Sequence, residues 1–275
     1  MIINNHGRII VLKKSGDFKM LYEEERKLKI VEYLQEHLRA SVQELGKIFQ
    51  VSESTVRRDL QELEDAKLLK RTHGGAVCLE NVNFEPTFIE KEDKFRKEKE
   101  SIARKAAEFI EDGDTLVIDS GTTTAYLAKE MKKFSNLKVV TNSIILAQEL
   151  QGNEGIEVII TGGTLRQNTL AMVGPIAEQT LSRLRVDKAF IATNGLDMKE
   201  GLTTPNIVEA ATKTKMIDIA KQVILLADHT KIGKLAFAKF ADVSRIDTCI
   251  VDDKVTQNMI KEMEESGINV YIVTP

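Results

Sequence analysis

Seven short apolar runs recur between residue 115 and the C-terminus, most of them separated by a segment of helical periodicity. They lie at 115–119, 137–141, 156–161, 188–193, 222–227, 247–251 and 269–273. Strands that alternate with helices pair in parallel, because each crossover helix returns the chain to the same end of the sheet. The expected fold class of this half is therefore α/β, with a mostly parallel sheet. A chain of 275 residues leaves room for a second domain, at roughly 100–200 residues each.

The N-terminal part has a different pattern. Leu28, Val31, Leu34 and Leu38 recur at helical spacing. Ser41 with Glu44 reads as a capping box for a short second helix whose apolar face is Leu45, Ile48 and Phe49. Ser52 can cap a third helix, which carries Val56, Leu60 and Leu63. Two short apolar runs flank His73-Gly74-Gly75 and read as a hairpin whose glycines allow positive φ. The expected organisation is an extension over 1–19, a helical module over 20–77, a polar linker over 78–95 with Pro86, and the α/β domain over 96–275. The extension is read either as sequence upstream of a start at Met20 or as a disordered arm, and no function is assigned to it.

Composition narrows the classes. Lys and Arg total 39 against 42 Asp and Glu, a net charge of −3. A uniformly basic nucleic-acid binder is excluded, and a local basic face is not. Cys78 and Cys249 lie far apart with no ligand-spaced neighbours, so neither a disulfide framework nor a zinc site is expected. The chain reads as reduced and cytoplasmic. No apolar run approaches the ~18 residues of a membrane span. His6, His37, His73 and His229 are scattered, and no metal or cofactor is expected. Asp252-Asp253 reads as a solvated strand end, with a paired-carboxylate metal site as the minor alternative.

A short helix, a tight turn and a second capped helix make a helix-turn-helix. With Val56, Leu60 and Leu63 inward, Arg57, Arg58 and Gln61 fall on other faces of the third helix. Ser52, Glu53, Ser54 and Thr55 occupy its start. The N-terminal residues of a recognition helix meet base edges in the major groove, and arginines and hydroxyls suit bases and phosphates. Lys70, Arg71 and His73 on the hairpin would grip backbone as a wing. The candidate DNA contacts are these residues together with Ser41. Acids and bases balance over 52–77, so the pattern alone also fits a three-helix protein-interaction module.

Specific residues carry a resemblance. Arg26, Ile30 and Leu34, then Ser52-Glu53-Ser54-Thr55-Val56-Arg57-Arg58-Asp59-Leu60, closely resemble the N-terminal signature of the DeoR family of bacterial repressors. Lys70-Arg71-Thr72-His73-Gly74-Gly75-Ala76 resembles that family's wing. The resemblance runs from Met20 to the C-terminus. It implies a winged helix-turn-helix repressor of a sugar-metabolism operon, with double-stranded operator DNA as partner.

In the α/β half, five polar clusters follow expected strands. They are Asp119-Ser120-Gly121-Thr122-Thr123-Thr124, Thr141-Asn142-Ser143, Thr161-Gly162-Gly163-Thr164-Leu165-Arg166, Thr193-Asn194-Gly195 and Asp228-His229-Thr230-Lys231. In a parallel sheet the carboxyl ends of the strands share one edge, where ligands bind. Residues 120–124 join a strand to a helix start, which favours an anion. The cluster lacks G-x-x-x-x-G-K-[ST], so a nucleotide P-loop is rejected and a phosphorylated small molecule is expected. Lys231, Arg166 and Lys213 are candidate counter-charges, each equally readable as a solvated cation.

This half also looks like ribose-5-phosphate isomerase and its relatives, through Gly121-Thr122-Thr123-Thr124 and Ala227-Asp228-His229-Thr230-Lys231. Those enzymes need a carboxylate base to move a proton between carbons. Their acidic pair after the fourth strand stands here as Thr193-Asn194. Their glutamate base is replaced, by spacing, by Lys213, with Glu209 nearby. The resemblance implies a sugar-phosphate pocket without its catalytic groups. The leading expectation is a repressor released by a phosphorylated sugar. The rival is a sugar-phosphate isomerase with a fused regulatory domain. A homo-oligomer, dimer or tetramer, is expected because one helix-turn-helix covers few base pairs.

Overall fold

The computed structural model describes residues 2–3, 9–10, 23–37, 39–66, 68–72, 74–78 and 87–275. The chain divides into two compact units, Met1–Asn81 and Val82–Pro275. Within the N-terminal extension, β1 (Ile2–Ile3) pairs antiparallel with β2 (Ile9–Ile10). The rest of 1–19 lies outside the described residues.

The first unit is a helix-turn-helix with a small sheet. Helix α1 (Glu23–His37) leads into β3 (Arg39–Ser41). Helix α2 (Val42–Phe49) starts on the expected capping box, with Glu44 N donating to Ser41 Oγ at 3.1 Å. Gln50 adopts φ 54° and turns the chain. Ser52 then caps α3 (Glu53–Asp65) by accepting from Thr55 N at 3.2 Å. Strands β4 (Leu69–Thr72) and β5 (Gly75–Cys78) form the hairpin, and β3 adds to it in the order β3-β5-β4. The third strand was not expected. It explains Gly75 differently from the sequence reading, because Gly75 has no positive φ. A Cβ there would lie 2.0 Å from Ala40 O, so the residue permits close approach of β5 to β3. Ile30, Leu34, Leu45, Val56, Leu60 and Leu69 are almost fully buried together, each worth roughly 1.5–3 kcal/mol of transfer free energy.

The second unit opens inside the stretch expected as linker. Thr87 and Glu90 form a capping box for α4 (Phe88–Glu92), and Phe88 is buried. Residues 79–86 lie outside the described residues. Helix α5 (Arg96–Ala107) follows. The described residues then form a seven-stranded sheet from all seven expected runs. Its strands are β6 (Thr115–Ile118), β7 (Leu137–Thr141), β8 (Ile156–Ile160), β11 (Val186–Ala192), β14 (Ala220–Leu226), β16 (Thr248–Asp252) and β17 (Asn269–Val273). Every pairing in it is parallel, in the order β17-β16-β14-β11-β6-β7-β8.

Helices cover both faces. Helices α5, α6 (Thr122–Glu130) and α7 (Ile144–Glu149) contribute to the core around Ile118 and Phe190. Helices α8 (Pro175–Ser182), α9 (Ile207–Asp218) and α10 (Gln257–Glu265) contribute to the one around Ile191 and Leu225. Two small sheets were not expected: the hairpin β9 (Thr164–Arg166) with β10 (Ala171–Val173), and β12 (Gly195–Asp197), β13 (Gly201–Thr204) and β15 (Ala238–Ala241).

Candidate functional site

On α3, Ser54, Arg57, Arg58 and Gln61 are exposed, while Val56, Leu60 and Leu63 are buried. Positions 54, 57, 58 and 61 recur at helical spacing and share a face. Glu53 pairs with Arg57 at 2.8 Å and Glu62 with Arg58 at 3.2 Å. Both pairs are solvated and worth about 0.3–0.5 kcal/mol, so each arginine can exchange its carboxylate for a phosphate at little cost. Arg71 Nη1 donates to Gln61 Oε1, and Arg71 N donates to Glu64 Oε1 at 2.8 Å, which ties the wing to α3. Ser41 and Ser52 are exposed, but their hydroxyls serve as helix caps. The Lys70 side chain and all of His73 lie outside the described residues.

In the second unit, the five polar clusters follow the carboxyl ends of β6, β7, β8, β11 and β14. Because those strands are parallel, all five stand on one edge of the sheet. The chain runs outward from β6 through β7 to β8, then returns to β11 on the other side of β6. The crevice between β6 and β11 is thus the point where strand order reverses, the common ligand position in open α/β sheets. Gly121 belongs to this close approach: a Cβ on it would lie 2.9 Å from Ala192 Cβ.

Helix α6 starts there without a side-chain cap. Its residues 122–124 are all buried, and the amides of a helix's first turn have no intrahelical partner. The three threonines differ. Thr124 Oγ1 donates to Asp119 O at 2.7 Å and holds the turn. Among the described residues, the Thr122 and Thr123 hydroxyls have no hydrogen-bond partner. A dipole end with free amides and two free hydroxyls suits an anion.

Behind this turn lie polar atoms with no partner in the protein. They are Asp119 Oδ1, Ser120 Oγ and both polar side-chain atoms of Asn142. Asp119 and Asn142 are fully buried. The second Asp119 oxygen is occupied, since it accepts from Ala192 N at 3.1 Å and from Lys213 Nζ. Lys213 is 2% exposed in its side chain and also donates to Ala192 O at 3.0 Å. One turn earlier on α9, Glu209 is held by Arg166 and by Thr169 Oγ1 at 3.4 Å. Lys213 and Arg166 therefore neutralise carboxylates inside the unit.

The remaining clusters are mainly structural. Ser143 caps α7 by accepting from Leu146 N at 3.1 Å. Gly162 and Gly163 turn the chain from β8 into β9. Thr193 Oγ1 donates to Gly195 O at 2.8 Å, and Asn194 Oδ1 accepts from Thr204 Oγ1 at 3.2 Å. A Cβ on Gly195 would lie 2.4 Å from Lys234 O.

Asp228 is buried and accepts from Thr230 N at 3.0 Å, while Lys231 stays part-exposed, 3.8 Å from Asp228. Asp252 is not solvated. It is fully buried, and it accepts from His229 N at 2.7 Å and Lys254 N at 3.1 Å. Among the described residues no group of three candidate ligands could hold a metal.

Sequence reasoning missed Lys99. It is 4% exposed on α5, and its Nζ donates to Lys91 O of α4. Burial pulls its pKa down to about 8, with Asp228 raising it and Lys231 lowering it. Asp228 and Lys231 thus lie within its electrostatic reach. The signal was available: Lys99 stands four and seven residues before Ala103 and Ala106, on the buried face of α5.

The helix-turn-helix and the rim correspond to known families. Residues 26–82 match the DeoR-like helix-turn-helix domain, and residues 94–253 match the DeoR C terminal sensor domain. The chain is 42% identical to the HTH-type transcriptional regulator GlpR of Haloferax volcanii over 246 residues, covering 90% of this chain and 96% of that protein. It is 35% identical to the HTH-type transcriptional repressor GlcR of Bacillus subtilis, covering 92% of this chain and 97% of that protein. Among solved structures, it is similar to ribose 5-phosphate isomerase A of Methanocaldococcus jannaschii. That likeness has 15% identity and a TM-score of 0.36, over 49% of this chain and 53% of that one, a score that supports no inference. With a helix-turn-helix in one unit, a parallel α/β sheet in the other, and both matched in order to the same family, the chain belongs to the DeoR family of DNA-binding transcriptional regulators.

Proposed function

We propose that this regulator represses a sugar-metabolism operon and leaves its operator when a phosphorylated sugar binds the rim of the second unit. The observation that carries this reading is the start of α6. Its first turn is buried and uncapped, with the Thr122 and Thr123 hydroxyls unused. The phosphate sits on that turn, with Lys231 and Lys99 as its counter-charges in this reading. The name of the Bacillus relative, a transcriptional repressor, is consistent with this direction of control.

The rim is a binding site rather than a catalytic one. A base for sugar isomerisation must be a free carboxylate near the substrate carbons. Glu209 is held by Arg166, and Lys213 stands one turn on, paired with Asp119. No turnover is expected with ribose 5-phosphate.

Occupancy reaches the DNA-binding unit through α4, the first described element of the second unit. Three parts of the sensor unit grip its backbone. Phe88 N donates to Asn168 O at 2.7 Å, on the β9–β10 hairpin. Lys91 O accepts from Lys99, and Glu92 O accepts from Tyr126 OH of α6 at 3.5 Å. A ligand that shifts α6, Lys99 or the hairpin thereby shifts α4. A ligand moves such an equilibrium only by binding the two states unequally, and these contacts supply the difference. The working form is a homo-oligomer, dimer or tetramer, that places recognition helices on two half-sites about one helical turn or a multiple apart.

The test is calorimetric titration of the full chain with a panel of sugar phosphates, paired with operator binding in their presence. Thr123→Asp puts negative charge where the phosphate sits. It is expected to abolish inducer binding and leave a repressor that no longer releases. Inducer binding at wild-type affinity in Thr123→Asp would remove the phosphate from this turn.

A further inference from the structure

We infer that Asn142, Ser120 and the free oxygen of Asp119 form the specificity end of the effector site, a fixed set that reads the neutral hydroxyls of a singly phosphorylated polyol. The inference rests on the phosphate position given above and adds what the rest of the ligand must be. The observation is a concentration of unmet hydrogen bonds. Asn142 is 0% exposed, yet neither its amide nitrogen nor its amide oxygen has a partner. Ser120 Oγ and Asp119 Oδ1 are in the same condition. Buried polar side chains are nearly always bonded, because leaving a donor or acceptor dry is unfavourable.

These atoms belong to one place. In the β6–β7 register Ile118 pairs with Thr141, so Asp119 and Asn142 are the next residues of neighbouring parallel strands. Ser120 follows Asp119 in the turn that leads to α6. Asp119 and Ser120 precede the uncapped helix start by three and two residues, and Asn142 lies beside them at the end of the adjacent strand. The backbone of Asn142 is fixed, because its carbonyl accepts from Met172 N of β10 at 2.7 Å.

The donors and acceptors define the ligand class. Asn142 offers both a donor and an acceptor, and Ser120 offers either. Asp119 Oδ1 on a carboxylate only accepts, and its other oxygen is taken by Lys213 and Ala192 N. A hydroxyl satisfies all of them, since it both donates and accepts. A second phosphate or a carboxylate fits badly here, because it brings acceptors and negative charge to Asp119. The ligand class is therefore a monophosphate carrying free hydroxyls close to its phosphate, and bisphosphates are disfavoured.

The experiment uses the full chain and calorimetry with glucose 6-phosphate, fructose 1-phosphate, fructose 6-phosphate, fructose 1,6-bisphosphate and inorganic phosphate as competitor. The wild type is expected to bind one of the monophosphates more tightly than the bisphosphate. Asn142→Ala and Ser120→Ala are each expected to weaken that monophosphate by about tenfold or more. The concentration at which inorganic phosphate competes should stay the same in both. Tighter binding of the bisphosphate overturns the inference, and so does unchanged monophosphate affinity in both variants. Equal loss of inorganic phosphate also overturns it, since the residues would then shape the turn instead of reading hydroxyls. Thermal unfolding of each variant checks the fold, and Ser120→Ala carries the test alone if Asn142→Ala does not fold. Failure of the phosphate reading is separate: it shows as wild-type affinity in Thr123→Asp.

Discussion

Arg26 donates to both carboxylate oxygens of Asp59, Nε to Oδ2 at 2.6 Å and Nη2 to Oδ1 at 3.0 Å. The pair joins α1 to α3 across 33 residues of sequence, and Asp59 is 1% exposed. The Asp59 hydrogen bond holds the guanidinium pKa above its ordinary value. Removing one partner of a buried pair leaves an uncompensated charge and costs about 3–5 kcal/mol. Asp59→Ala is expected to lower the stability of the helix-turn-helix by that order and to abolish operator binding, although Asp59 does not share the exposed face of α3. Urea unfolding followed by circular dichroism reads the loss. A change under roughly 0.5 kcal/mol, the size of an ordinary surface substitution, would contradict this role.

Arg57 and Arg58 behave differently, because their carboxylate partners are solvated. Arg57→Ala and Arg58→Ala should leave stability nearly unchanged and weaken operator binding. An arginine on phosphate lowers the salt slope by roughly one when lost, and one on a base edge costs roughly 1–3 kcal/mol at a single operator position. Binding isotherms at several salt concentrations separate these outcomes. Wild-type affinity in both variants at every salt would take α3 out of the interface.

Lys99 gives the sensor unit a pH dependence. Its folded pKa of about 8 lies below the ordinary 10.5 because burial disfavours the charge. Between those values the unfolded chain binds more protons than the folded one, so stability rises with pH. The destabilisation is complete below about 8 and gone above 10.5. It amounts to on the order of 3 kcal/mol at ~1.36 kcal/mol per pH unit. Lys99→Met should lack this gain when denaturant unfolding is compared at pH 7.5 and pH 10, roughly the two ends of the window. Parallel pH curves for the two proteins would show that Lys99 does not titrate there.

The parts of the fold visible in the sequence are those set by burial on both faces. The strands of a covered parallel sheet read as continuous apolar runs, and all seven appear in the sequence. Strands β9, β10 and β12 are three residues each, too short for any period. The rim clusters were visible because parallel pairing fixes which ends of the strands meet. Their internal roles were not. Thr123 and Thr124 are chemically identical, and only the Asp119 carbonyl beside one of them decides which hydroxyl is occupied. Asn142 reads as an ordinary turn residue, and its lack of partners is a property of the packed rim.

The route through α4 makes the last prediction. Phe88 is 5% exposed and anchors a helix of only five residues. A helix that short has no stability of its own, so its position depends on the Phe88 anchor and on the backbone contacts from Asn168, Lys99 and Tyr126. Phe88→Ala removes a buried aromatic ring, a change worth about 3–5 kcal/mol in a packed core. The three hydrogen bonds that remain, at about 0.5–1.5 kcal/mol net each, fall short of the roughly 1–2 kcal/mol per residue that ordering this short helix costs. Helix α4 should then detach while the sheet and the start of α6 stay in place. The expected protein binds the sugar phosphate and binds its operator, but operator affinity no longer changes when the sugar phosphate is added. Calorimetry and operator titration on the same preparation read both halves. A normal release in Phe88→Ala would mean that occupancy of the rim reaches the DNA-binding unit by another path.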